Sequence, residues 1–423
     1  MIQADLAVVG ISELATPEGR SARLGAELGR LRVVREAAVA CRGDRVVFVG
    51  PERELRQAVT LAEGACTLDA AGGTVLPGFV DAHTHIPFSG WRETEFNERI
   101  AGATYSEIAA RGGGILKTVT ATRAASEDEL TALTAERLDA MLLCGTTLAE
   151  VKSGYGLTAA AEIKQLTALR RAAASHPVRV VATFLGAHTI PAERRDDRKG
   201  YIDAIVGEML PEITHRKLAE YADAFVDAHA LTLAEARRVL EAAAAGGLGV
   251  RLHADQLADD GAAQLAAELH AASADHLEHV SSAGIEALAA SKTAAVLLPA
   301  ASFFLMSKVL PPARRLIDAG VPVAIATDFN PGSCPTEAMG AVCEHACLSL
   351  ALSIDEAITA STLNAAYALR RAEDAGSIEV GKRADLVIHA VPNRYHLVYR
   401  FGVRRVRTVI AAGKVVVDDG RLS

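Results

Sequence analysis

Two histidines, His83 and His85, stand two residues apart at the end of the apolar run Leu76-Pro77-Gly78-Phe79-Val80-Asp81-Ala82. On an extended chain, residues i and i+2 point to the same side, about one metal-ligand bite apart. The pair can grip one cation or stand as two solvated imidazoles at a strand end. A third histidine, His253, closes the run Gly249-Val250-Arg251-Leu252, and Asp328 closes Val323-Ala324-Ile325-Ala326-Thr327. Three imidazoles and a carboxylate suit one divalent transition metal, Zn2+ or Fe2+. Their joint occurrence at the ends of separate apolar runs is poorly explained by chance.

Such ligands must be brought together by the elements that carry them. From Thr74 onward, short apolar runs alternate with helical stretches rich in Ala, Leu, Glu and Arg, the pattern of repeated βα units and a parallel sheet. The runs predict eight strands: 74–82, 146–152, 178–185, 224–228, 249–253, 274–276, 294–298 and 323–326. Helices are expected between most of them, for example over 127–143, 159–174, 233–245 and 260–272. Eight such units make an α/β protein with a (β/α)8 barrel of TIM type, whose active site is assembled at the C-terminal strand ends. His253 and Asp328 then sit where the fifth and eighth strands finish. Short β-rich runs with Gly-containing turns fill the first 73 residues and return after residue 381, with a tight turn at Ala412-Gly413. These predict a small, discontinuous β-sandwich domain of residues 1–73 and 381–423 against a barrel of residues 74–380.

The 423 residues, 50% of them hydrophobic and 23% charged, are enough for a large core and exclude disorder. A net charge of −8 leaves no basic surplus for a nucleic-acid backbone, so none is expected as partner. Uncharged stretches such as 242–250 fall far short of the roughly 20 residues of a membrane span. No secretory signal is read at the N-terminus, and six scattered cysteines without a CxxC pair suit a reducing cytoplasm.

The segment Pro77-Gly78-Phe79-Val80-Asp81-Ala82-His83-Thr84-His85 resembles the first-strand metal motif of the amidohydrolase superfamily, with His253 and Asp328 in place of its fifth- and eighth-strand ligands. The closer resemblance is to the imidazolonepropionase family. It is carried by Arg92-Glu93-Thr94-Glu95-Phe96-Asn97, Gly102-Ala103-Thr104-Tyr105, Glu150-Val151-Lys152-Ser153-Gly154-Tyr155-Gly156-Leu157, Phe184-Leu185-Gly186-Ala187-His188, Ser273-Ala274-Asp275-His276-Leu277-Glu278-His279 and Ala326-Thr327-Asp328-Phe329-Asn330-Pro331-Gly332-Ser333. These blocks follow the family's order from about residue 76 to 337.

The resemblance implies hydrolysis of a cyclic amide: 4-imidazolone-5-propanoate is opened to N-formimidoyl-L-glutamate, a step of histidine degradation. It implies a metal on His83, His85, His253 and Asp328 that makes water nucleophilic. Asp328 is expected to move the water's proton to the leaving nitrogen, and His276 to stabilise the oxygen that becomes anionic. Arg92, with Tyr105, is expected to clamp the substrate's carboxylate tail, although a surface ion pair of Arg92 with Glu93 or Glu95 is the alternative. Tyr155 and His188 are expected against the imidazolone ring, and Asn330, Gly332 and Ser333 against the product. Gln256 departs from the glutamate that many superfamily members carry there. An amide orients but cannot shuttle a proton, so Gln256 is assigned to substrate orientation. Lys152 closes the second strand and not the fourth, which favours one metal over a lysine-bridged pair and makes Lys152 an ion-pair partner behind the site. His279 is expected to be structural, and Gly112–Gly114 a mobile loop at the mouth. The family further implies a homodimer. The alternatives are deamination of a nitrogen heterocycle by a mononuclear amidohydrolase, which the glutamine disfavours, and a non-catalytic scaffold, which four retained ligands disfavour.

Overall fold

The computed structural model describes residues 2–103, 107, 112–228 and 230–423, so Tyr105 lies outside the described residues. Eight barrel strands follow one another in chain order: β1 (Phe79–Asp81), β2 (Thr146–Lys152), β3 (Arg179–Ala187), β4 (Tyr221–Phe225), β5 (Gly249–Ala254), β6 (Ser273–His276), β7 (Ala294–Leu297) and β8 (Val323–Ile325). Each pairs in parallel with the next. The ring closes just beyond the ends of β1 and β8, where Thr84 bridges Phe329. Asp328 N–H donates to the His83 carbonyl at 3.0 Å and His85 N–H to the Phe329 carbonyl at 2.9 Å. The expected TIM-type barrel is therefore present, wrapped by helices such as Glu127–Leu143 and Leu233–Ala245. Both begin with a reciprocal capping box, Ser126 with Glu129 and Thr232 with Glu235, which satisfies N–H groups that a helix start leaves unpaired. Among the described residues no helix is long and apolar enough to cross a membrane.

Both chain ends build a separate mixed sheet of nine strands. Its long first strand, Ile2–Thr16, pairs antiparallel with Arg32–Arg42 and parallel with Val59–Asp69 and Thr74–Pro77. The C-terminal strand Leu386–His389 pairs with Thr74–Pro77 and continues to Val406–Ala411 and Lys414–Asp418. The sheet encloses its own core, in which Leu6, Ile11 and Leu14 pack with Leu386, Ile388 and Ile410.

The run 74–82, expected as one strand, is two. Thr74–Pro77 belongs to the small sheet and Phe79–Asp81 to the barrel. Gly78 hands the chain from one to the other: its N–H donates to the Asp385 carbonyl at 2.9 Å, and a Cβ there would lie 2.2 Å from Thr147 Oγ1. Only glycine fits that approach. The fourth strand begins three residues before the expected 224–228, because Asp223, a charge inside an apolar strand, is buried in the ring.

His389, at the end of Leu386–His389, lies between the two bodies, its ring 5.9 Å from Phe79. Both ring nitrogens are buried without a hydrogen-bond partner among the described residues. Burial, helped by the Arg405 charge, pushes its pKa down from 6.5 to about 3. Folded protein therefore keeps this ring neutral while unfolded chain protonates below its ordinary pKa, so stability present above about pH 6.5 falls as pH drops. The expected slope from this one group is ~1.4 kcal/mol per pH unit between the two values. Denaturant midpoints of wild type and His389→Leu, compared at pH 7 and pH 5, should diverge in favour of the variant at pH 5. An equal gap at both values would reject the account.

Candidate metal centre

Period-two alternation turns Asp81, His83 and His85 to one face as β1 runs out. Asp81 is tied back to the far side of the seam, accepting from Thr327 Oγ1 at 2.6 Å and Thr327 N–H at 3.1 Å. The backbone bonds that close the barrel therefore also set three of the four expected ligands. His83 Nε2 and His85 Nε2 are 3.1 Å apart, and Asp328 Oδ1 lies 3.5 and 3.4 Å from them. Donors about 2.0–2.1 Å from one tetrahedral ion are separated by about 3.3–3.4 Å, so the triangle fits a single cation. His253 joins this group, with a ring nitrogen within 4.8 Å of one on each of His83 and His85. All four residues are buried.

The far side of each ring is equally defined. His83 Nδ1 lies 2.6 Å from Asp275 Oδ2, and His253 Nδ1 lies 3.2 Å from Asp223 Oδ1. Each Nδ1–H donates to its carboxylate, which leaves Nε2 with the lone pair a metal needs. Behind them Lys152 Nζ meets Glu150 at 2.8 Å and Asp223 at 2.9 Å, and Arg251 donates to Asp275 at 3.2 Å and to the Ala82 carbonyl at 2.7 Å. All five charged side chains are fully buried. Burial alone would neutralise Asp223, but the Lys152 ammonium and His253 hold it well below the usual carboxylate range. Burial and the nearby Lys152 charge keep His83 neutral, the form that ligates.

Around this centre stand most of the remaining expected residues. His276 ends β6 with its ring 5.5 Å from His83 and 5.2 Å from His253, and burial pushes its pKa down to about 3. His188 stacks on His85 at 5.4 Å and donates from Nδ1 to the Gly154 carbonyl at 3.0 Å. Tyr155 lies 5.5 Å from the His188 ring. The loop that carries it wraps the buried Glu162 carboxylate, which accepts the N–H groups of Gly154, Gly156 and Leu157 at 3.0, 2.8 and 2.7 Å.

Arg92 reaches from the loop after β1 to the loop after β8: a Cβ on Gly332 would fall 1.2 Å from Arg92 Nη2, so the guanidinium lies directly on that glycine. Among the described residues its one ion-pair contact is a long one to Glu95, 3.7 Å. Asn330 spends its side chain on the same loop, donating to the Asp328 carbonyl and Ser333 Oγ and accepting the N–H of Gly332 and Ser333. Ser333 Oγ in turn donates to Asp328 Oδ2 at 3.0 Å. Gln256 and His279 are half-buried beyond β5 and β6, and no contact joins either side chain to the ligands among the described residues.

Residues 74–416 match the Amidohydrolase family. Imidazolonepropionases from Symbiobacterium thermophilum and Geobacillus kaustophilus are 48% and 47% identical to this chain, over 99% and 97% of it and 98% and 97% of their own lengths. The chain belongs to the amidohydrolase family, among the imidazolonepropionases. Solved structures share its fold: an adenosine deaminase from Xanthomonas campestris with bound zinc (TM-score 0.75, 21% identity, 100% of this chain and 95% of that one) and a triazine hydrolase variant (0.73, 17%, 99% and 96%). Family membership and the donor set together make this a divalent-metal site.

The acceptors Asp223 and Asp275, with Glu150, Arg251 and Glu278, are additions of the structure to the expected site. Their signal was present: Glu150 and Lys152, like Arg251 and His253, are charged or polar pairs at period two inside strands, and a buried charge demands a partner. Replacing Asp275 by Asn should weaken metal affinity ~10–100-fold in a chelator competition, because the amide no longer fixes the His83 proton. Unchanged affinity in a folded variant would remove Asp275 from the site.

Proposed function

We propose that this chain hydrolyses the ring amide of 4-imidazolone-5-propanoate to N-formimidoyl-L-glutamate, using one divalent ion, zinc or iron(II), on His83, His85, His253 and Asp328. The observation that carries the reading is the Arg92 guanidinium lying on Gly332, four residues past a metal ligand. It sets a carboxylate-binding cation beside a hydrolytic centre in a chain closely similar to named imidazolonepropionases. When bound, such an ion lowers the pKa of water toward neutrality and withdraws charge from a carbonyl.

The residues divide the remaining work. Arg92 offers two parallel N–H donors to the propanoate, with Tyr105 as a further contact. Tyr155 and His188 flank the imidazolone ring, and the Gln256 amide orients it. Asn330, Gly332 and Ser333 form the wall against which the product rests. Asp328, its Oδ2 steadied by Ser333, accepts the proton released as water adds to the carbonyl carbon. His276 donates a hydrogen bond to the carbonyl oxygen as it becomes anionic. The bond from that carbon to the ring nitrogen then breaks, and Asp328 returns its proton to the nitrogen. Lys152 is committed to Glu150 and Asp223, which supports a single ion.

The barrel from residue 78 to 380 is the catalytic unit in this reading, with residues 1–77 and 381–423 as its companion domain. The free cysteines, among them Cys41 and Cys343, suit a reducing cytoplasm. The exposed side chains Phe303 and Phe401, joined through the His345 ring, and exposed Leu348 three residues on in the same helix as His345, form an apolar face that is assigned to a homodimer.

Purified, metal-loaded protein should consume freshly made imidazolonepropanoate with loss of its ultraviolet absorbance. Arg92→Leu should raise KM at least ~10-fold by removing a charge-assisted pair. No turnover at full metal occupancy would reject the activity. Sedimentation velocity should give a dimer that Leu348→Asp with Phe401→Asp converts to monomer. A monomeric wild type would remove the apolar face from the account.

A further inference from the structure

Glu278 is a buried carboxyl that the reaction described above does not use. It follows β6 by two residues and is fixed from the helix after β7, Pro299–Phe304, where Ser302 donates from Oγ to its Oε1 at 2.9 Å. Its other oxygen, Oε2, lies 3.9 Å from His276 Nδ1. Both atoms are buried and, among the described residues, have no hydrogen-bond partner. The gap exceeds a hydrogen bond by about 1 Å, which a small rotation of ring or carboxyl closes. The backbone between them is strained: His276 and Leu277 have φ of +80° and +71°, a left-handed conformation that side chains with a Cβ rarely adopt. It is held there by Leu277 N–H on the Ala254 carbonyl at 3.0 Å and His279 N–H on the Asp255 carbonyl at 2.8 Å.

The chemistry assigned to His276 sets a condition on its other nitrogen. To donate to the amide oxygen, a neutral imidazole must carry its proton on the nitrogen facing the substrate. The opposite nitrogen, Nδ1, is then a bare acceptor in a dry site and needs a donor. We propose that Glu278 is this donor: as a neutral carboxylic acid its Oε2–H closes on His276 Nδ1 and locks the ring in the Nε2–H tautomer. Ser302, by donating to Oε1, leaves Oε2 as the oxygen that carries the proton. Among the described residues His276 is the one basic group within ion-pair distance of Glu278, and a buried carboxyl without a cationic partner is more stable uncharged. Glu278 is thus a positioning residue that acts through His276, and its role rests on the ring-opening reaction proposed above.

The test compares Glu278→Ala, Glu278→Gln and wild type as metal-loaded proteins, with metal content measured first. Glu278→Ala should lower kcat ~100-fold, the scale of losing one oxyanion donor, with KM and metal content little changed. Glu278→Gln should recover at least ~10-fold of that loss, because its amide N–H donates to Nδ1 as the acid does. A glutamine variant as impaired as the alanine one, or an alanine variant with wild-type kcat, overturns the assignment. Should the alanine variant fail to fold, 15N NMR of the zinc-loaded wild type decides it. A bare Nδ1 on His276 supports the role and a protonated Nδ1 refutes it. That measurement needs no turnover, so it separates failure of this assignment from failure of the reaction itself.

Discussion

The metal site depends on a buried, nearly balanced set of charges beneath it. Lys152 and Arg251 stand against Glu150, Asp223 and Asp275 with no exposure to water. Taking any one of these from water alone would cost several kcal/mol, and removing one partner leaves another uncompensated, at a cost of about 3–5 kcal/mol. The arrangement is nonetheless weak as a source of stability, since apolar residues of similar size would serve as well. What it supplies is direction. Two of its three carboxylates receive the Nδ1 protons of His83 and His253, and that fixes which nitrogen of each ring faces the ion. A cation arriving above adds positive charge to a layer whose five side chains sum to a formal −1.

The same economy of parts governs barrel closure. In a parallel barrel the first and last strands must find each other at the end of a chain of crossovers, and here they do so through the backbones of His83, His85, Asp328 and Phe329. The residues whose backbones close the ring also carry the side chains of the expected ligand triangle. The helices beyond the strands contribute by single buried side chains, Glu162 under the Tyr155 loop and Ser302 on Glu278, while their caps and apolar faces act locally.

How much of this was legible in the sequence follows from how local each signal is. His83 and His85 announce themselves because period two operates within three residues, and His253 and Asp328 because each closes an apolar run. Helices 127–143 and 233–245 have the bounds that the sequence predicts, since caps and composition are local too. The run 74–82 misled because apolar residues on either side of Gly78 serve two different sheets, a fact carried by Asp385 and Thr147 far along the chain. Strand 221–225 was displaced for a related reason: Asp223 reads as the polar border of a strand until Lys152 and His253 are seen around it. Arg92 was ambiguous between surface and site, and only the loop after β8 shows that its guanidinium lies on Gly332.

Gln256 raises a question that the surrounding geometry answers in part. With an amide where relatives elsewhere in the superfamily carry an acid, the proposed reaction assigns proton movement to Asp328, which the fold holds in place. Its φ of +57° is unfavourable for a residue with a Cβ, yet the seam bond to His83, the Asn330 contact to its carbonyl and the Ser333 contact to its Oδ2 all converge on it. Such over-determination is what a carboxylate needs if it is to ligate with one oxygen and move a proton with the other. A free rotor would exchange the two roles, whereas one held at three points keeps Oδ1 near the histidines and Oδ2 beside Ser333, the division that the proposed reaction requires.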